Sequence, residues 1–160
     1  AVLREQQEQV ARRLPNVYMN VLIDCGEFDN IHPTDKKTVG ERMAALCMEH
    51  VYRIDGISSD APICQRVVRE GQSVIVTYGG ENLIGREESL PLFELAGEDG
   101  IFYPAEAELQ TEHTVWVHCM EVLKPLYVRY AWTNYGKVAL FDRNGLPAAP
   151  FLKQIQENSL

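Results

Sequence analysis

Asp29 and His32 stand three residues apart in a polar stretch of the chain, directly before Pro33. A carboxylate and an imidazole at this spacing can meet within one turn of backbone. The carboxylate then accepts from one ring nitrogen and fixes the tautomer, which leaves the other nitrogen free as a general base. Pro33 biases His32 towards extended backbone and helps the loop hold its shape. The same spacing also describes a helix-capping Asp beside a surface His, so the chemistry depends on the elements that position the pair.

Upstream, Val17 to Ile23 (VYMNVLI) is nearly all apolar and too short for an ordinary helix. This suits a strand buried on both faces, as in an open α/β sheet. Such sheets place ligands and catalytic groups beyond the carboxyl ends of their strands, and the polar loop Asp24 to Pro33 follows directly. Ahead of the strand, Leu3, Val10 and Leu14 recur at helical spacing and predict a helix over 2–14, ended by Leu14-Pro15-Asn16. After the loop, Val39, Met43, Leu46, Cys47 and His50 or Val51 share one face of a second helix. Thr34 or Asp35 is placed to cap it, and Thr38 and Glu41 match a capping-box spacing further in, so its first turn stays open. Residues 1–52 thus read helix, strand, loop, helix: a fragment of an α/β layer.

From about residue 53 the pattern changes. Ser73–Tyr78, Leu90–Ala96, Phe102–Leu109, Thr114–Cys119, Tyr127–Trp132 and Lys137–Phe141 are short runs rich in β-branched and aromatic residues. Gly79-Gly80, Gly97 to Gly100 and Asn144-Gly145 supply turns between them. In the third run the odd-numbered residues Tyr103, Ala105, Ala107 and Leu109 form the more apolar face. The expected fold class is therefore α+β, with an α/β fragment over 1–52 and an antiparallel β-sandwich or jelly-roll-like module over 53–160.

Composition bounds the partners. The 160 residues carry 15 basic and 23 acidic side chains, a net charge of −8, and residues 54–160 hold most of the excess. A pI near 5.0 argues against nucleic acid, because phosphate binding needs a basic face. No apolar run approaches the roughly 20 residues of a membrane span. The chain opens Ala-Val-Leu-Arg-Glu without an initiator Met or a leader, so its first helix is expected to be the middle of something longer.

Other chemistry-bearing residues are weaker candidates. Asp24, Glu27, Asp29, His32 and Asp35 fit neither an EF-hand loop nor a His-rich zinc pattern. Cys25, Cys47, Cys64 and Cys119 show no CxxC spacing and are expected to be mainly buried and structural, their disulfide state undecided. His113 and His118 fall on opposite faces of a strand. Trp116, Tyr127, Tyr130, Trp132 and Tyr135 are expected mostly in the core, although a sugar-binding surface shows the same concentration. Arg129 is a candidate to pair with an acid at the boundary with the α/β layer.

The segment DNIHPTDKKTVGERMA, Asp29 to Ala44, resembles the last conserved block of the SGNH/GDSL hydrolases in the version carried by sialate O-acetylesterases. Similarity extends to LREQQ and LPNVYMNVLID upstream, and to FELAGEDGIFYPAEAEL, PLYVRYAW and NGLPAAPF downstream, in the family's order. The resemblance implies that residues 1–52 are the end of an SGNH (flavodoxin-like) layer and that Asp29 and His32 are two members of a Ser-His-Asp triad. It implies an O-acetylated sugar as substrate, no cofactor and no metal. The family's nucleophile and oxyanion-hole residues lie upstream of such a block, so this chain alone is expected to be inactive and to work with an upstream hydrolase segment. Gly71-Gln72-Ser73 copies a nucleophile motif, but it follows the Asp-His pair and leads into a strand rather than a strand-turn-helix elbow. Membranes and nucleic acid are not expected partners. The truncated layer makes a homodimer possible. The compartment stays open, with a secreted, periplasmic or lysosomal one favoured over the cytoplasm. The alternative reading is a non-catalytic β-sandwich module for carbohydrate or protein contact.

Overall fold

The computed structural model describes residues 1–156. Helix α1 covers Val2–Arg13, as the periodicity predicts. It forms on local grounds. Gln, Glu and Arg are good helix formers, Glu8 pairs with Arg12 one turn on, and Arg12 and Arg13 face the negative end of the helix dipole. Leu14 leaves the helix in extended backbone ahead of Pro15. None of the helix's residues is buried, and Leu3, Val10 and Leu14 are exposed.

Residues 17–22 correct the expectation of a strand. Their backbone pairs with no neighbouring strand among the described residues. Val21 and Ile23 are buried in the core and Met19 packs against it, while Val17 and Tyr18 are exposed. Apolar composition is not sufficient for a strand, because a ladder needs a second backbone edge.

Helix α2 (Lys36–Leu46) runs on into a π-helical turn, Cys47–Val51. Its buried residues are Arg42 and Leu46, whereas Met43 and Cys47 are exposed. Of the expected apolar stripe within the helix only Leu46 is buried, and Arg42 joins it on the packing face.

Ten strands follow: β1 (Ile63–Glu70), β2 (Ser73–Gly79), β3 (Leu83–Gly85), β4 (Phe93–Ala96) and β5 (Phe102–Pro104). The remainder are β6 (Glu106–Thr111), β7 (Thr114–His118), β8 (Tyr127–Tyr130), β9 (Leu140–Asp142) and β10 (Phe151–Gln154). They form two four-stranded sheets in the orders β1-β2-β7-β6 and β10-β8-β4-β5, with β3-β9 as a two-stranded ribbon. All strand pairings are antiparallel.

Side chains from both sheets meet in one core. Val74, Val76, Val115 and Val117 come from the first sheet and Phe93, Leu95, Val128 and Tyr130 from the second. Each alternates with a less buried neighbour, as period-two geometry requires. The stretch 102–111 keeps the predicted odd-numbered inner face but changes sheets at Ala105, whose amide donates to Phe93 O at 2.9 Å. One expected strand is thus two, β5 and β6, joined at a corner. Strand β1 lay outside the expected set because a register shift between Cys64 and Arg66 breaks its alternation and charged residues interrupt it.

Gly71 and Gln72 are the two-residue turn of the β1–β2 hairpin, with Gly71 at φ +64°. Glycine at the first central position is what such a turn favours.

Candidate active site

Asp35 settles where α2 begins: its side chain accepts from Thr38 N at 3.0 Å. This bond holds the Asp35 carboxyl below the usual range and marks the end of the polar loop. Within the loop, Glu27 is the brace. Its carboxylate accepts from Thr34 N and Thr34 Oγ1, both at 2.7 Å, and from Asn30 Nδ2 at 2.8 Å. These donors hold the Glu27 carboxyl below the usual carboxylate range. Asn30 in turn accepts from His32 N at 2.9 Å through its side-chain oxygen. The backbone around Phe28-Asp29-Asn30-Ile31-His32-Pro33 is therefore closed from both ends by side chains of the same loop.

Asp29 and His32 sit on this braced turn, both exposed to solvent. No hydrogen bond joins the carboxylate to the imidazole among the described residues. The loop brings them onto one short turn without joining them. Their apolar neighbours are unusually open: Phe28 is 84% exposed and Ile31 89%. Phe28 touches Tyr135 edge to face, with ring centroids 5.9 Å apart. Tyr135 belongs to the segment after β8, and Thr133 in that segment accepts from the Arg4 side chain of α1. The segment after β8 therefore touches the loop through Tyr135 and α1 through Thr133.

The base of the loop is fixed by Arg42. Its guanidinium donates to both oxygens of Asp24, at 2.7 and 2.6 Å, and to Val21 O at 2.9 Å. A longer bond reaches Gly145 O at 3.3 Å in the turn after β9. That turn is itself held by Asp142 Oδ1, which accepts from Asn144 N and Leu146 N. A planar, permanently charged fork can satisfy four acceptors at once, which a lysine cannot.

Several expectations are resolved by these contacts. Of the four acids and one imidazole considered as a metal set, Asp24 is committed to Arg42, Glu27 to Asn30 and Thr34, and Asp35 to the helix cap. Cys25, Cys64 and Cys119 are buried, Cys47 is exposed, and all four thiols are free. Burial, then the Asp24 carboxylate, pushes the Cys25 thiol up, which disfavours the thiolate a nucleophile needs. Ser73 opens a hairpin strand, and its hydroxyl lies 3.4 Å from His118 Nδ1 with no elbow around it. His113 lies in the turn between β6 and β7, away from His118 at the end of β7. Arg129 pairs within its own sheet, donating to Glu94 at 2.7 and 2.8 Å and stacking over Phe102, so it is not a boundary residue. Of the aromatic group, Tyr130 is core, while Tyr135 is exposed beside the loop. Sequence reasoning weighed Glu27 only as a metal-set member and Tyr135 only within an aromatic group, and it gave Arg42 no role, since a lone Glu, Arg or Tyr carries no spacing signal.

No family model matches the chain. Sialate O-acetylesterase of Mus musculus is 25% identical over 163 residues, a match covering 92% of this chain and 30% of the mouse protein. Sialate O-acetylesterase of Rattus norvegicus is 24% identical over the same shares. Among solved structures, a carbohydrate acetylesterase from Xanthomonas citri matches with a TM-score of 0.88 and 32% identity, over 95% of this chain and 35% of that one. The chain thus spans about a third of the length of these proteins. The sequence comparison points to sialate O-acetylesterases and the structure comparison to a carbohydrate acetylesterase, in line with the resemblance read from the sequence.

Proposed function

We propose that this chain is the C-terminal part of a carbohydrate O-acetylesterase, and that it contributes Asp29 and His32 to a Ser-His-Asp triad. The supporting observation is the braced loop carrying this pair in a chain similar along nearly all its length to acetylesterases. In this reading residues 1–52 are the end of an SGNH layer and residues 53–160 an accessory sandwich. The serine and the oxyanion-hole donors come from an upstream segment. The exposed apolar side chains of α1 and of Val17 and Tyr18 are the surface on which that segment packs.

His32 takes the proton from the serine as it attacks the acetyl carbonyl, then delivers it to the departing sugar hydroxyl. Water, activated by the same imidazole, then releases acetate. Asp29 orients the ring and stabilises its protonated form. The two groups are separate in the free chain, and docking of the loop onto the upstream layer brings the carboxylate to the ring; catalytic hydrogen bonds commonly tighten only in the assembled site. The compartment that accompanies this reading is secreted, periplasmic or lysosomal.

In the complete enzyme, His32→Ala and Asp29→Asn should each lower kcat by roughly 10³-fold or more with KM little changed. Steady-state hydrolysis of an O-acetylated sugar measures this. Near-normal turnover in either variant, with the protein folded, excludes the assignment and favours a non-catalytic module.

A further inference from the structure

We propose that Glu49, His50 and Asp60 form a binding site for a divalent transition-metal ion, separate from the Asp29–His32 loop. The three residues come from two segments, the π-helical turn at the end of α2 and the stretch that leads into β1. One donor atom from each lies within 4.8 Å of the others. His50 Nε2 is 2.9 Å from Asp60 Oδ1 and 4.0 Å from Glu49 Oε2. A π-turn within an α-helix is uncommon and tends to occur at functional sites, and here it presents two adjacent ligands to the same point.

The surroundings hold the donors in place, as outer partners of metal ligands do. The His50 ring stacks on Tyr18 with centroids 4.1 Å apart and planes 9° from parallel, which fixes the direction of its nitrogen. Glu49 Oε2 accepts from Ser59 N and Ser59 Oγ, both at 2.6 Å, which anchors the carboxylate to the segment that carries Asp60. A groove of about 520 Å³, lined in part by Tyr18, His50 and Asp60, lies beside the cluster. One neutral imidazole and two carboxylates suit Zn²⁺ or a similar first-row ion, and three protein ligands leave a position for water. The ion replaces the hydrogen bond between His50 and Asp60 and ties the end of α2 to the segment entering β1. The site does not depend on the esterase reading.

Equilibrium dialysis of the tag-free 160-residue chain against Zn²⁺, paired with thermal unfolding, tests this. One ion should bind per chain, and Tm should rise with Zn²⁺ concentration as ligand linkage requires. His50→Gln and Asp60→Asn should each weaken binding at least tenfold and abolish the Tm rise. The Asp60 side chain is mostly exposed, so Asp60→Asn carries the test if the His50 variant does not fold. No stoichiometric binding, or binding that survives Asp60→Asn unchanged, overturns the proposal. So does binding lost only in Cys47→Ser, which places the ion on the exposed thiol.

Discussion

At the scale of single residues, the candidate pair owes its setting to Glu27 rather than to its own contacts. Three hydrogen bonds converge on that carboxylate, and all three need it ionised or strongly accepting. They depress its folded-state pKa, so the brace is complete above the ordinary glutamate value of about 4.3 and is lost as pH falls through the lower folded value. The Thr34 amide should therefore titrate in NMR with a midpoint below about 4.3, and a midpoint at or above it contradicts the bracing role. Glu27→Ala should speed exchange of the same amide roughly tenfold or more, since a charge-assisted acceptor is removed. The D-x-x-H pair itself was legible because two chemistry-bearing types stand at a fixed spacing. Glu27 was not, because its role depends on Asn30 and Thr34 folding back over it.

Among the elements, Arg42 joins three that sequence alone keeps apart: the end of the 17–23 segment, α2, and the turn after β9. Its side chain is buried and that of Asp24 is partly covered. Removing the guanidinium forfeits its charge-assisted hydrogen bonds, which costs about 1.5–3 kcal/mol. Arg42→Ala should then lower Tm by roughly 3–12 °C in a chain of this size, with Arg42→Lys recovering only part of the loss. Differential scanning calorimetry measures both, and an unchanged Tm in Arg42→Ala contradicts the role. Both helices were legible from their periodicity, and Asp35 was among the caps considered. The packing face of α2 was not, because a buried arginine with four acceptors looks in sequence like an exposed one. The 17–23 segment misled for a complementary reason: its apolar run signals burial, whereas strand formation depends on a partner edge that local sequence does not encode.

For the molecule as a whole, the strand-rich part was legible in kind but not in detail. Valine alternation in β2 and β7 and glycine turns pointed to antiparallel sheets, and the structure has them. The sheet change at Ala105 and the register shift in β1 were not visible, since both are set by tertiary geometry rather than by residue type. The proposed role asks these sheets to hold a loop for chemistry completed elsewhere in the enzyme. Arg4, Phe28 and Arg42 each contact the strand-rich part, so the loop is positioned by the whole chain. The most direct test is p-nitrophenyl acetate hydrolysis by this chain, alone and mixed with the upstream segment of its parent protein. The proposal predicts turnover only in the mixture, and its loss when His32→Ala replaces the native chain. Turnover by the chain alone that disappears with Ser73→Ala, or none in a mixture shown to assemble, contradicts it.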